Sequence, residues 1–417
     1  MTGEVLSIPE EGGFAAVRRI AELLREAGGR ALLVGGCVRD LFTGRTAKDL
    51  DLEVYGLDAE AVQKAVSGEF PLDPVGMSFG VMKVRHLPID IALPRRESKT
   101  GAGHRGFLVS AVPDLPFAEA AARRDFTVNA MMCDPLTGEV IDPWGGREDL
   151  RRGILRHVSE HFAEDPLRVL RGMQFIARFG LAPAPETVKA CSGLSQTELA
   201  VERIGAEWDK LLLTGVRISA GLGFLRDCRW IEFYPELAAL PEADWCATLV
   251  ALDRFAGKRR SIEADDRALG AAVLCAKLPE KAPGLLARIW RRNELAETVP
   301  PLLADLTTVC APLTDGDLRR CAVRARRMDL LTDLAECVFS ETAAELAAIR
   351  ARCTALGILS APPEPILQGR HLIARGFRGG PEMGAVLKRC FEAQLDGAFS
   401  DLAGAEDFLT RLLAEKH

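Results

Sequence analysis

Residues 32–56 read LLVGGCVRDLFTGRTAKDLDLEVYG, and this stretch decides the fold. An apolar run, Ala31–Val34, meets the pair Gly35-Gly36, where the spacing predicts a strand ending and a helix starting near Cys37. Glycines at such a junction let backbone N–H groups approach an anion, and a helix N-terminus favours negative charge. Arg39 lies in the first helical turn, within reach of the same anion. By itself the pair reads more readily as a tight strand–helix turn with a solvent-facing arginine. Asp49 and Asp51 follow at i, i+2 on a predicted strand, Leu50–Val54. Alternation puts both carboxylates on one face about 7 Å apart, with Leu50 and Leu52 on the other. Paired carboxylates one helix after a phosphate-type turn suit divalent-cation chemistry on a triphosphate.

Outward from this stretch, short runs rich in Val, Ile and Leu recur at Gly80–Val84, Ile89–Leu93 and Val128–Cys133. Amphipathic segments lie between them at Phe14–Ala27 and Ala59–Val66, so the first 150 residues read as a compact α/β domain. A third acid from a neighbouring strand is expected at Asp90 in IDIAL, with Glu97 in RRESK as the alternative. In AARRDFTVNAM, Arg123, Arg124 and Asp125 precede a predicted strand burying Phe126, Val128 and Ala130. Arginine forks suit a triphosphate, and Asp125 suits a ribose hydroxyl. In EDPLRVLRGMQF, Pro166 marks a helix start, and Asp165, Arg168 and Arg171 share one polar stripe at three-residue spacing.

After residue 150 the pattern is helical, with predicted helices at Asp165–Phe179, Val201–Leu213, Ala243–Phe255, Asp266–Lys277 and Leu331–Cys353. Prolines, including the Pro300-Pro301 pair, punctuate them, and Ser360–Pro365 breaks the chain before a last helical piece. The 417 residues, 48% apolar and 27% charged, supply ample core. A mean hydropathy of +0.07 and broken apolar runs argue against a membrane span. Eleven scattered cysteines without a CxxC pair, and an acidic start without an apolar leader, point to a reduced, cytoplasmic setting. Net charge is −6, which excludes a uniformly basic coat but not a local basic groove. LRRCAVRARR (318–327) carries five arginines, of which Arg320, Arg324 and Arg327 would share a helix face; Arg288, Arg291 and Arg292 form a second cluster. Each is either an RNA phosphate surface or a solvated helix face.

Together, GGCVRD (35–40), KDLDLEV (48–54), RRDFTVNAM (123–131), DPWGGREDL (142–150) and EDPLRVLR (164–171) make the chain resemble the class II nucleotidyltransferases, which include tRNA CCA-adding enzymes and bacterial poly(A) polymerases. RRESKTGAGHRGFLVSAVPDL (95–115) and the segment 365–397 look more like the CCA-adding branch. The resemblance implies a small mixed sheet with helices as a catalytic head (1–150), then an all-helical neck (151–225), body (226–350) and tail (351–417). It implies that Asp49 and Asp51 bind Mg²⁺, two ions in the expected mechanism, beside a third catalytic acid at Asp90 or alternatively Glu97. It implies that Gly36, Arg39, Arg124 and Arg171 hold the phosphates and sugar of CTP or ATP and that Asp165 and Arg168 pair with the base, and Asp125 and Gln174 are expected among the nucleotide-binding residues. The partner would be the tRNA 3′ end, and the reaction addition of CCA with release of pyrophosphate. A poly(A) polymerase, a partial CC- or A-adding enzyme, and a non-catalytic RNA-binding protein are the alternatives. Gln174 stands where the family usually has a further arginine. Many bacterial relatives carry a helical HD phosphohydrolase region after the head. No histidine occurs here from Phe162 to Arg370, so the region is expected to be degenerate and to lack that activity.

Overall fold

The computed structural model describes residues 5–47, 49–73, 81–99 and 107–414, with the side chains of 97–99 and 107–111 outside that description. The head begins with helix α1 (Gly13–Glu26), strand β1 (Arg30–Val34), α2 (Gly36–Phe42), β2 (Leu50–Tyr55) and α3 (Ala59–Val66). Short strands β3 (Leu72–Asp73), β4 (Val81–Val84) and β5 (Ile89–Ala92) follow, then a hairpin of β6 (Arg95–Lys99) and β7 (Phe107–Ala111). Helix α4 (Phe117–Ala122), strands β8 (Met132–Cys133) and β9 (Val140–Ile141) and helix α5 (Gly146–Arg151) complete it.

The main sheet is mixed, in the order β3-β4-β5-β2-β1-β8-β9. Its period-two alternation feeds two cores. Ala31 and Leu33 of β1, with Leu50, Leu52 and Val54 of β2, pack beside Val17, Ile20 and Leu24 of α1. Leu32 and Val34 face the other way, toward Ala121, Ala130 and Met132. Asp51, Glu53 and Tyr55 therefore emerge on the face opposite α1. Leu52 is fully buried, and truncating such a side chain to alanine costs about 2–5 kcal/mol.

Three expectations are corrected. Val128–Cys133 is not one strand: Thr127–Asn129 form a 3-10 turn and only Met132–Cys133 pair. The cause is α5. A Cβ on Gly146 would collide with the Thr127 carbonyl oxygen, and Asp149 accepts the Thr127 hydroxyl at 2.8 Å, so the chain is drawn out of extended geometry. Leu331–Cys353 is two helices, Met328–Val338 and Ala343–Ala355, broken where the Thr342 hydroxyl takes the Phe339 carbonyl at 2.8 Å. Pro300-Pro301 lie inside helix Asn293–Asp305, whose buried Val299, Leu302 and Leu303 outweigh a proline cost of about 3 kcal/mol.

Beyond the head the chain is helical, from helix α6 (Leu167–Phe179) to Leu402–Ala414. It divides into two compact units, residues 1–200 with 220–233 and residues 201–219 with 234–417. The finer boundaries at 150, 225 and 350 remain a proposal from sequence. No helix among the described residues is long and apolar enough to cross a membrane.

Candidate active site

The glycine pair is held by close approach. Gly35 adopts φ +79°, and a Cβ there would sit 3.1 Å from Arg124 Nη1 and 4.0 Å from Asp51 Oδ2. Only glycine lets β1 turn into α2 this close to both charges. Gly36 opens α2, whose Cys37 and Val38 are buried in the head core and whose Arg39 is buried on the site side.

Register assembles the carboxylates. β2 and β5 run parallel with Asp51 directly beside Asp90. β4 pairs antiparallel with β5, setting Lys83 against Asp90, and the two form an ion pair at 3.4 Å. Asp49, Asp51 and Asp90 line one cavity of about 570 Å³, shared with Asp73, Lys83, Arg85 and His86. Burial pushes the Asp51 carboxyl above its ordinary range; Arg124 and Lys83 oppose this, while Asp90 and Asp49 add to it. Among the described residues no three His, Cys, Asp or Glu side chains are arranged as a ready-made metal cage. Two or three oxygen donors with space beside them fit a hard divalent cation, which keeps water and substrate phosphate as its remaining ligands. Glu97, the alternative third acid, lies in β6 with its side chain outside the described residues.

The arginines expected to hold the nucleotide are joined by residues the sequence reading did not single out. Arg39 Nη1 donates to Asn129 Oδ1 at 2.6 Å, and Asn129 Nδ2 donates to Asp125 Oδ1 at 3.0 Å. Arg171 Nε donates to Asp125 Oδ2 at 2.7 Å. Burial works to raise the Asp125 carboxyl, but Arg171's charge and the bonds from Asn129, Arg171 and the Phe126 N–H hold it below the usual range. Arg124 Nη2 donates to Glu53 Oε2 at 3.1 Å, and the Tyr55 hydroxyl donates to Glu53 Oε1 at 2.5 Å. Glu53 was findable, since the alternation that selects Asp49 and Asp51 continues to it. Phe179 was not: it gathers guanidinium groups of Arg39 at 4.2 Å, Arg45 at 4.7 Å and Arg178 at 5.1 Å from its ring centre.

The DPWGGREDL segment braces this network. Asp142 accepts the N–H groups of Gly146 and Arg147 at 2.8 and 3.0 Å, capping α5. Asp149 on α5 then holds Thr127, and with it the turn that carries Asn129.

Asp165 does not share a helical stripe with Arg168 and Arg171. It precedes α6 in extended geometry (φ −129°, ψ 98°) and accepts the Leu167 N–H at 3.2 Å, because Pro166 opens the helix only after it. Arg168 donates to the carbonyls of His161 and Arg123, each at 2.6 Å, with further N–H groups to present. Gln174 is 1% exposed and accepts from Arg178 Nη1 at 3.0 Å. The neutral amide is suited to that buried position and relays a contact to the next arginine on the helix.

Most of the two basic clusters proves to be paired, although Arg319 donates to the Leu395 carbonyl and Arg326 is exposed, and Arg327 follows the helix Asp315–Ala325 rather than sharing its face. Arg320 bonds Glu392 and Asp396, Arg324 bonds Asp305, and Arg327 bonds Asp265 and Asp329. Arg288 meets Glu236, Arg291 meets Glu202, and Arg292 meets Asp209. These cations serve the packing of their own unit first.

With this geometry in view, residues 31–156 match the Poly A polymerase head domain family. The Multifunctional CCA protein of Xylella fastidiosa (strain M23) is 38% identical over 264 residues, 59% of this chain and 61% of that protein. The Multifunctional CCA protein of Neisseria gonorrhoeae (strain NCCP11945) is 36% identical over 279 residues, covering 65% and 63%. The match thus spans less than two thirds of the length of these curated relatives. Among solved structures, the Bacillus stearothermophilus CCA-adding enzyme in complex with CTP aligns over 98% of this chain and 100% of that one, with a TM-score of 0.72 and 25% identity. The Thermotoga maritima CCA-adding enzyme complexed with tRNA-CCA shares the fold, with a TM-score of 0.65 at 20% identity.

Proposed function

We propose that the chain adds C, C and A to tRNA 3′ ends without a nucleic-acid template, using CTP and ATP, a reading supported by the match of residues 31–156 to the Poly A polymerase head domain family. The observation that carries the reading is the register of Asp51 beside Asp90 at a cavity edged by Asp49, with Arg124 and the Gly35 turn against Asp51.

Asp49 and Asp51 would hold Mg²⁺, which supplies charge neutralisation of the triphosphate and a lowered pKa for the attacking 3′-hydroxyl. Asp90 supports Asp51 from the neighbouring strand. Gly36, Arg39, Arg124 and Arg171 hold the phosphates and sugar. Asp125 fixes Arg171 and, through Asn129, Arg39, so the donors are oriented before substrate arrives. Asp165 accepts the amino group of cytosine or adenine, and Arg168 donates to the adjacent ring acceptor. Gln174 acts through Arg178. Eleven cysteines, all free, suit a reduced cytoplasmic setting.

We also infer no HD phosphohydrolase activity. In the body, Asp265, Asp329 and Asp333 are engaged by Arg260, Arg327 and Arg350 instead of standing with imidazoles.

The test is incubation with tRNA lacking its 3′ end, with CTP and ATP singly and together, followed by sequencing of the product. CCA is expected. A long adenosine tail, or arrest after CC, would replace the reading with one of its relatives; no extension by wild-type protein would sink it. Metal-dependent hydrolysis of a 2′,3′-cyclic phosphate would overturn the inference about the body.

A further inference from the structure

The carboxylates have two sides. On the β1 side, Asp51 and Arg124 close on Gly35, where the nucleotide is placed by the reading above. On the β4–β5 side the cavity is walled by Lys83, Arg85, His86, Leu87 and Pro88, none of which that reading uses. In-line transfer requires the attacking hydroxyl and the leaving pyrophosphate to lie on opposite sides of the α-phosphate. With the triphosphate on one side of Asp51, the strand that supplies the hydroxyl arrives from the other.

Charge points the same way. Asp49, Asp51, Asp73 and Asp90 line this cavity and repel an incoming phosphodiester, so a strand reaches them only past compensating cations. Elsewhere Arg320, Arg324 and Arg327 of one basic cluster, and Arg288 and Arg292 of the other, are held by acids. Arg85, by contrast, is exposed and has no side-chain partner among the described residues. Among the described residues Lys83 forms an ion pair with Asp90, at 3.4 Å, and keeps 65% of its side chain open to solvent. His86 adopts φ +65°, a left-handed turn residue that joins β4 to the Leu87-Pro88 lip. A volume of about 570 Å³ lies in the range of small-ligand pockets, room for a terminal nucleotide rather than a duplex.

We propose that Lys83 and Arg85, at the β4–β5 turn, grip the backbone phosphates of the 3′-terminal nucleotides of the RNA being extended. The inference rests on the nucleotidyl-transfer reading of the same carboxylates and adds the side from which the acceptor strand enters. The grip is to backbone rather than base, so it tolerates the changing end as the strand grows.

Equilibrium binding tests it without turnover. The probe is a labelled RNA hairpin with a short single-stranded 3′ tail, compared by fluorescence anisotropy with the same stem cut blunt. Arg85→Ala, and the double variant with Lys83→Gln, are expected to bind the tailed RNA about threefold to tenfold more weakly than wild type. Each lost contact should reduce the slope of log K against log salt by about 0.7. Binding of the blunt stem should be unchanged, and the CTP affinity of Arg85→Ala by calorimetry should be retained, which also reports an intact head. Equal affinity and equal salt slope for tailed RNA in both variants would overturn the proposal. Wild-type protein that incorporated neither nucleotide would sink the transfer reading instead, and the binding comparison would still decide the role of this rim.

Discussion

Asn129 stands between Arg39 and Asp125, accepting from the first at 2.6 Å and donating to the second at 3.0 Å. One amide thus ties the helix after the glycine pair to the segment that carries Asp125. Asn129→Ala removes a donor from a buried carboxylate and an acceptor from a buried guanidinium. The expected cost is about 1–3 kcal/mol by urea denaturation, with a raised KM for CTP. Unchanged stability and KM would show that the amide is not the joint.

Asp51 carries a carboxyl raised above its ordinary value, chiefly by burial. For a raised acid, the charged form is disfavoured by folding. Stability is therefore fully present below the unfolded pKa of about 3.9 and is lost as pH rises through the folded value. Asp51→Asn is expected to raise the melting temperature at pH 7 in metal-free buffer, with the gain vanishing near pH 4. The same variant should lose about a hundredfold or more of nucleotide incorporation. A variant that is destabilised at pH 7, or that keeps full activity, contradicts this.

Arg168 combines two duties. It braces the carbonyls of His161 and Arg123, and its remaining N–H groups are those assigned to the base. Placing uracil or guanine against Asp165 sets carbonyl against carboxylate, a mismatch worth about 1–3 kcal/mol, or roughly tenfold to a hundredfold in selection. Arg168→Ala should therefore admit UTP or GTP more readily and also melt lower, because two carbonyls lose a donor. Competition among all four nucleotides, paired with a melting curve, separates the duties. Lower melting with selectivity untouched would leave Arg168 as a brace only.

Asp329 in the body accepts from Arg260 at 2.6 Å and from Arg327 at 2.8 and 2.9 Å. Burial opposes its ionisation, yet these bonds and charges hold the carboxyl down to about 2. For a depressed acid, stability is present above the unfolded value of about 3.9 and lost as pH falls toward the folded one. The contribution is roughly 2–3 kcal/mol at neutral pH. Asp329→Asn should be destabilised at pH 7, and the gap to wild type should narrow between pH 5 and pH 2 (about the window the two values set). A gap independent of pH would mean the loss is one of shape rather than charge.

Much of the head was legible because its signals are local. Apolar runs of five residues, the period of two that exposes Asp49 and Asp51 opposite Leu50 and Leu52, and the Gly35-Gly36 break report strand, face and turn without reference to distant chain. Helix α3 begins and ends where the spacing predicts, at Ala59 and Val66. The misread elements are those that a distant contact reshapes. Thr127–Asn129 has the apolar pattern of a strand, but α5 bends it through the Gly146 approach and the Asp149 bond. Arg320, Arg324 and Arg327 look like a phosphate surface until Asp265, Asp305, Glu392 and Asp396 arrive from elsewhere in the chain.

The sequence by itself determined the α/β head, the helical remainder, the paired carboxylates and the candidate arginines, since each rests on residue type and spacing within a few turns. Only the tertiary structure decided which charges are satisfied and which stay exposed. Asp90 joins Asp51 through strand register, Asp125 is committed to Arg171, and Arg85 has no side-chain partner among the described residues. A charge's availability depends on its neighbours in space, and burial and pairing set its free energy more than its identity does.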